Sequence, residues 1–212
     1  NNHKNLFEVG CGLESIFLDF DTYENLTVLE PADMFFKKGL EDQTKANNKN
    51  IKIHKEILQD AEEVLKDESF DFIIVSSLLH EIPNQKDFLK TLHNISNPET
   101  VIHINVPNAR SFHRLLAVEM GLIDTVFEMS SSNIQFQQHQ VFDIDTLISV
   151  TENSGFEVVD SGSYSFKPFT HSQMQKMIDT ESITEKMLNG FFKMEKHIPG
   201  VGSEIFVNIK IK

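Results

Sequence analysis

Between residues 4 and 110, short runs that are almost wholly apolar alternate with amphipathic stretches. That alternation dictates strand–helix–strand units building a parallel sheet. Strands apolar on nearly every position need helices on both faces of the sheet. They read as Asn5–Val9, Leu26–Glu30, Ile51–Leu58, Phe70–Ser76 and Val101–Val106. Asp33–Lys45 lies between the second and third, followed by a polar turn at Asn47–Asn50. Asn84–Ile95 sets Phe88, Leu92 and Ile95 on one helical face, opened after Pro83 and closed by Asn97-Pro98. In the second half, Asp143 caps a helix bearing Ile144, Leu147 and Ile148, and Gly155 stops it. Phe156–Phe166 follows as a strand, and Glu204–Lys212 alternates Ile205, Val207, Ile209 and Ile211 as a half-buried one. Residues 170–195 carry Met174, Met177, Ile178, Met187, Leu188, Phe191 and Phe192 at helical spacing, which predicts two helices over the sheet end. Core packing or a homodimer interface explains those side chains better than a wall for a sugar ring. No internal repeat or low-complexity linker divides the chain, so one domain over residues 1–212 is expected.

Charge narrows the partner. With 19 basic and 32 acidic side chains the chain carries −13, and no stretch dense in Lys or Arg offsets it. Such a surface repels phosphate backbones, which argues against a nucleic-acid substrate and for a small molecule. Apolar runs such as Phe72–Val75 are far short of the ~20 residues that span a bilayer, so no membrane association is expected. A single cysteine, Cys11, suits a reducing cytoplasm and offers no metal cluster. The chain opens on Asn with a strand a few residues in, so its native start is expected upstream.

The first strand ends in Leu6-Phe7-Glu8-Val9-Gly10-Cys11-Gly12. Glycines there let a nucleotide-like ligand approach the backbone at the carboxyl edge of a parallel sheet. The second strand ends in Glu30-Pro31, 18 residues after Gly12, where an acid can accept both hydroxyl hydrogens of a ribose. Two enzyme classes use that arrangement: nicotinamide-dependent dehydrogenases and enzymes using S-adenosylmethionine. The third glycine of the dehydrogenase pattern would fall at Ser15, and its absence favours the methyl donor.

Glu8, Gly10, Cys11 and Gly12 resemble the first motif of class I S-adenosylmethionine-dependent methyltransferases, E-x-G-C-G-x-G, with Glu14 in place of the last glycine. The resemblance implies an α/β, Rossmann-like, doubly wound and mostly parallel sheet with a terminal antiparallel strand and an elaborated helical C-terminal half. It implies S-adenosyl-L-methionine as cofactor, S-adenosyl-L-homocysteine as product, no metal, residues 4–110 as the cofactor-binding half and 111–212 as the acceptor-binding half. Glu30 and Pro31 match the ribose acid, Gln59-Asp60 the adenine contact, and Ser76-Ser77-Leu78-Leu79-His80-Glu81 the mouth of the fourth strand, with Ser76 and Ser77 as cofactor contacts. Glu14 leaves a non-catalytic, cofactor-binding relative as the alternative.

Ile104 to Arg114, Met120 to Ile123, His139, Gly155-Phe156 and Lys167-Pro168-Phe169 resemble methyltransferases of bacterial surface-polysaccharide and sugar-modification clusters. That likeness implies a small hydroxyl-bearing acceptor, sugar-related, nucleotide-linked or phosphorylated. Transfer to a hydroxyl needs a group to take its proton, and a positioned His can do so for roughly 100- to 10,000-fold in rate. Of nine histidines, His139 in the segment over the pocket ranks first and His80, after the fourth strand, second. Asn108, His113, Arg114 and Lys167 are the candidate acceptor contacts, the last three suited to an anionic group. His93 reads as solvated and His103 as a satisfied core residue.

Overall fold

Side chains buried on the two faces of the sheet sort the core into two layers. The computed structural model describes residues 3–129, 131–135 and 138–212. Its sheet comprises β1 (Asn5–Val9), β2 (Asn25–Leu29), β3 (Ile51–His54), β4 (Phe72–Ser76), β5 (Val101–Pro107), β6 (Phe156–Tyr164) and β7 (Glu204–Ile211), in the order β3-β2-β1-β4-β5-β7-β6. The pairs from β3 to β5 are parallel, and β7 runs antiparallel between β5 and β6. Helices α1 (Asp33–Gln43), α2 (Glu62–Leu65), α3 (Gln85–Ile95), α4 (Phe112–Glu119), α5 (Ser131–Gln135), α6 (Ile144–Glu152), α7 (His171–Asp179) and α8 (Glu185–Phe192) connect the strands. This is the expected doubly wound, Rossmann-like, mostly parallel sheet, and its antiparallel strand, the last in sequence, lies between β5 and β6.

On one face Phe7, Val9, Ile73, Val75, Ile102, Ile104 and Val207 pack with Phe88, Leu89 and Leu92 of α3 and Leu147 of α6. On the other, Leu6, Leu26, Val28 and Ile51 pack with Phe17, Tyr23 and Cys11. Each such side chain contributes about 1.5–3 kcal/mol when fully buried. The Asn84 side chain caps α3 by accepting from the Asp87 N–H, and Asp143 and Thr146 form a capping box on α6.

Four readings are corrected. The third strand stops at His54 and not at Leu58, because residues 55–57 leave the sheet and a 3-10 turn at Leu58–Asp60 returns Leu58 to the core. The fourth begins at Phe72, since the Asp71 carboxylate accepts from the N–H groups of Lys4 and Asn5 (2.8 and 2.9 Å) and ties the strand starts together. The sixth ends at Tyr164 because Ser165 turns into the left-handed region at φ 61°. His93 is half-buried edge-on against Phe156, with ring centroids 5.5 Å apart, and is not solvated. His103 bonds through Nδ1 to Asn208 Oδ1 at 2.8 Å, as a satisfied strand histidine should. Among the described residues, no helix is long and apolar enough to cross a membrane.

Candidate functional site

Sheet order reverses between β1 and β4, and open α/β sheets hold their ligands at that point, beyond the strand C-termini. Past Val9 the chain turns through Gly10 at φ 78° and Gly12 at φ 54°. L side chains rarely adopt such angles, and a Cβ on Gly10 would also sit 3.3 Å from Leu78 Cδ2. The turn is fastened to β2 twice. Gly10 N–H donates to Leu29 O at 2.8 Å, and Gly12 N–H donates to Glu30 Oε2 at 3.0 Å. The other carboxylate oxygen of Glu30 accepts from Ala32 N–H at 2.9 Å. Glu30 is thus held by two backbone amides, 4% exposed, at the wall of a cavity of about 330 Å3.

That volume falls within the range of small-molecule sites, roughly 300–1,000 Å3. Gly10, Gly12, Glu30, Pro31, Gln59, Ser76 and Ser77 all line it. Apolar walls come from Phe35, Ile57, Leu78 and Phe88, and further charge from Glu56 and Glu81. The lining therefore carries three carboxylates and no lysine or arginine. Ser77 leaves β4 at φ 49°, a strained angle for a non-glycine residue that costs on the order of 1–3 kcal/mol, with its N–H on Asn105 O at 3.0 Å.

Glu8, Cys11 and Asp60 stand outside the lining. Glu8 is buried behind the turn, where Ser15 Oγ donates to its Oε2 and Ile16 N–H to its Oε1 at 3.2 Å. Burial pushes its carboxyl up to about 7 against those bonds. Ser15, which stands where a dehydrogenase would carry glycine, is thereby committed to Glu8. Burial and the neighbouring carboxylates of Glu30 and Glu8 push the Cys11 thiol up to about 12, so it stays protonated. Asp60 is exposed. Glu14 is also exposed and outside the lining. Glu14→Gly should therefore leave affinity for S-adenosylhomocysteine within about threefold by calorimetry; a large gain would show that Glu14 obstructs the site.

The acceptor candidates are dispersed. His80 is 3% exposed with a buried, unpartnered Nδ1, and burial pushes it down to about 4, so it is neutral at physiological pH. Its Nε2 lies 3.7 Å from Glu81 Oε1, and its backbone carbonyl accepts from His139 N–H at 2.8 Å. His139 itself is exposed. Asn108 spends its side chain on the backbone: Nδ2 donates to the carbonyls of Gly200 (3.1 Å) and Gly202 (2.8 Å), and Oδ1 accepts from Arg110 N–H. Arg114 likewise gives Nε and Nη2 to the Val126 carbonyl (3.1 and 2.8 Å) and Nη2 to that of Glu128 (2.6 Å). His80, Asn108 and Arg114 border a crevice of only about 30 Å3. His113 has a buried, unpartnered Nδ1, pushed down to about 4 by burial and then by the charges of Lys167 and Arg114. Lys167 lines a separate cavity beside α7 and α8. Leu78 and Glu81 line the cavity at the mouth of β4 where the sequence put them; Phe35, Glu56, Ile57 and Phe88 were missed as cavity walls, and only Phe35, in the first turn after Pro31, had a local signal.

The family described as methyltransferase domain matches residues 1–161. No curated protein matches the chain significantly. A Thermotoga maritima S-adenosylmethionine-dependent methyltransferase, described as a possible histamine N-methyltransferase, superposes with a TM-score of 0.64 at 16% identity, covering 100% of this chain and 84% of that one. The N-methyltransferase NodS from Bradyrhizobium japonicum WM9, in complex with S-adenosylhomocysteine, gives 0.58 at 10% identity over 100% and 79%. The CurJ carbon methyltransferase gives 0.58 at 13% over 98% of this chain, which spans about half, 48%, of that one. At such identities the shared property is the fold, and these neighbours carry names for transfer to nitrogen and to carbon. Taken with the glycine turn, the acid at the cavity wall and the 3-2-1-4-5-7-6 sheet, the match over residues 1–161 means that the chain belongs to the methyltransferase domain family.

Proposed function

We propose that the protein is a cytoplasmic S-adenosylmethionine-dependent O-methyltransferase whose acceptor is a small sugar-related compound, nucleotide-linked or phosphorylated, in polysaccharide biosynthesis. The observation that carries the donor assignment is the charge of the cavity at the strand C-termini, which presents Glu30, Glu56 and Glu81 and no cation. A sulfonium with an α-ammonium group is attracted there, whereas the pyrophosphate of a nicotinamide dinucleotide is repelled at close range in a partly dry site. When bound, the donor supplies a methyl group already activated by its positively charged sulfur.

The chain's own residues then have defined tasks. Glu30 accepts the ribose hydroxyl hydrogens, Gly10 and Gly12 admit the ligand to the backbone, and Phe35 with Ile57 packs the adenine, with Gln59 at its edge. The remaining work is to hold the acceptor in line with the leaving sulfur, and such positioning can supply about 7–11 kcal/mol of the barrier. Support for a sugar-related acceptor comes from the sequence pattern of residues 105–114 and 167–169. A phosphate clamp gains little support from Arg114, whose Nε and Nη2 are occupied by backbone carbonyls.

Titration calorimetry with S-adenosylmethionine and S-adenosylhomocysteine should give micromolar-range binding, and NADH should give none. Absence of heat and of any thermal shift with both adenosyl ligands would sink the donor assignment. A donor-consumption screen over nucleotide sugars and sugar phosphates then tests the acceptor class.

A further inference from the structure

The excursion between β6 and β7 places a second cavity, about 290 Å3, beside the sheet edge that carries the donor cavity. Phe166, Leu188 and Phe191 wall it, and Lys167, Ser203 and Glu204 bring polar groups to it. Glu204 is the first residue of β7, paired with Pro107 of β5 and Tyr164 of β6, which sets it at the carboxyl edge of the parallel strands. Its Oε2 is buried without a hydrogen-bond partner, and so is Ser203 Oγ. Lys167 is half-buried and makes no ion pair among the described residues, although the charge of Glu204 acts on it. A buried acceptor without a partner costs stability, so its retention asks for a ligand.

Carboxylate and ammonium face one cavity without closing on each other. A cationic ligand would meet Lys167 and an anionic one Glu204, so neither ion suits the gap. A neutral hydroxyl does: its O–H can donate to the carboxylate while its oxygen accepts from the ammonium. Aromatic walls suit the ring that bears it. Asn105, buried and in neither lining, lies between this gap and the donor cavity. It lies level with Ser76 on β4, donates through Nδ2 to Ser77 Oγ at 3.3 Å, and its side chain also favours the ionised form of Glu204.

Resting on the methyltransferase reading above, we propose that Glu204 and Lys167 hold the acceptor's ring hydroxyl between them and that Glu204 Oε2 takes its proton during methyl transfer. The acceptor O–C bond forms as the donor C–S bond breaks, and the pair of that bond stays on sulfur and neutralises the sulfonium. The hydroxyl proton passes to Glu204, and Lys167 keeps its protons and steadies the charge developing on oxygen. Burial raises the Glu204 carboxyl to about 6, opposed by Asn105 and Lys167, which is a serviceable value for a base near neutrality. Tyr164 and Lys167 are the titratable groups whose charge couples to it, and His113 lies behind Lys167.

Met174 lines the same cavity, so a methyl-13C-methionine spectrum of the protein saturated with S-adenosylhomocysteine reads its occupancy. Four probes are titrated: methyl β-glucoside and p-cresol as neutral hydroxyls, benzylamine as a cation and benzoate as an anion. A neutral probe should move the Met174 signal saturably, and whichever of the two binds more tightly tells a sugar from a phenol. Glu204→Gln and Lys167→Met should each weaken that binding about tenfold, the worth of one hydrogen bond to a charged group. Glu204→Gln should melt no lower than the parent near neutral pH, since burying the charge costs more than Asn105 and Lys167 return. A Met174 response led by benzylamine or by benzoate, or no response at all, overturns the proposal, as does unchanged neutral binding in both variants. S-adenosylhomocysteine failing to bind would remove the donor reading and this one with it. Donor binding with a silent Met174 removes this one alone.

Discussion

Glu30→Ala is expected to weaken S-adenosylhomocysteine binding at least a hundredfold. Hydrogen bonds to a charged group are worth about 1.5–3 kcal/mol each, a ribose offers two, and every 1.4 kcal/mol is tenfold in affinity. The substitution also strips the acceptor from Gly12 N–H and Ala32 N–H, so the glycine turn keeps only the Gly10–Leu29 bond of its two fastenings to β2. Glu30→Gln keeps one acceptor oxygen and should fall between. Calorimetry at fixed salt separates the cases, and a loss below threefold for the alanine variant would mean that the carboxylate meets no ribose.

Glu8→Gln should stabilise the ligand-free protein above neutral pH and flatten its pH dependence. Its carboxyl stands at about 7 in the folded chain against an ordinary 4.5. The unfolded chain therefore ionises first. The stability held with the proton on is complete below about pH 4.5, declines as pH rises, and is gone above about pH 7. At about 1.4 kcal/mol per unit the full swing is roughly 3 kcal/mol. Glutamine keeps an oxygen for Ile16 N–H and can still bond Ser15, so it removes the charge without the contacts. Urea midpoints between pH 5 and pH 8 check it; parallel slopes for the two proteins would show that Glu8 ionises freely in the fold.

What the sequence disclosed follows from the range of each interaction. Strands β1, β2, β4 and β5 could be placed because both faces are buried, which writes an unbroken apolar run, and Gly10, Gly12 and Glu30 because a turn and a strand end fix them locally. The end of β3 was misplaced because Ile57 and Leu58 are as apolar as strand residues, yet Ile57 faces the cavity and Leu58 the core of a turn. The acceptor side was least legible. Asn108 and Arg114 have the chemistry of ligand contacts, but their partners are carbonyls at residues 200 and 202 and at 126 and 128, set by loop packing with no sequence period. Glu204 drew no notice because its place beside Lys167 depends on β7 entering between two strands made earlier.

That same insertion imposes an order on assembly during synthesis. The five parallel strands can zip together once residue 107 has been made, and β6 then finds no neighbour to join, because the slot beside β5 belongs to residues 204–211. Until those residues arrive, β5 presents a bare flank of amide and carbonyl groups, the kind of edge that invites pairing with another chain. The protein is thus most exposed to misassociation while α7 and α8 are being made, and a pause within residues 165–203 would lengthen that interval.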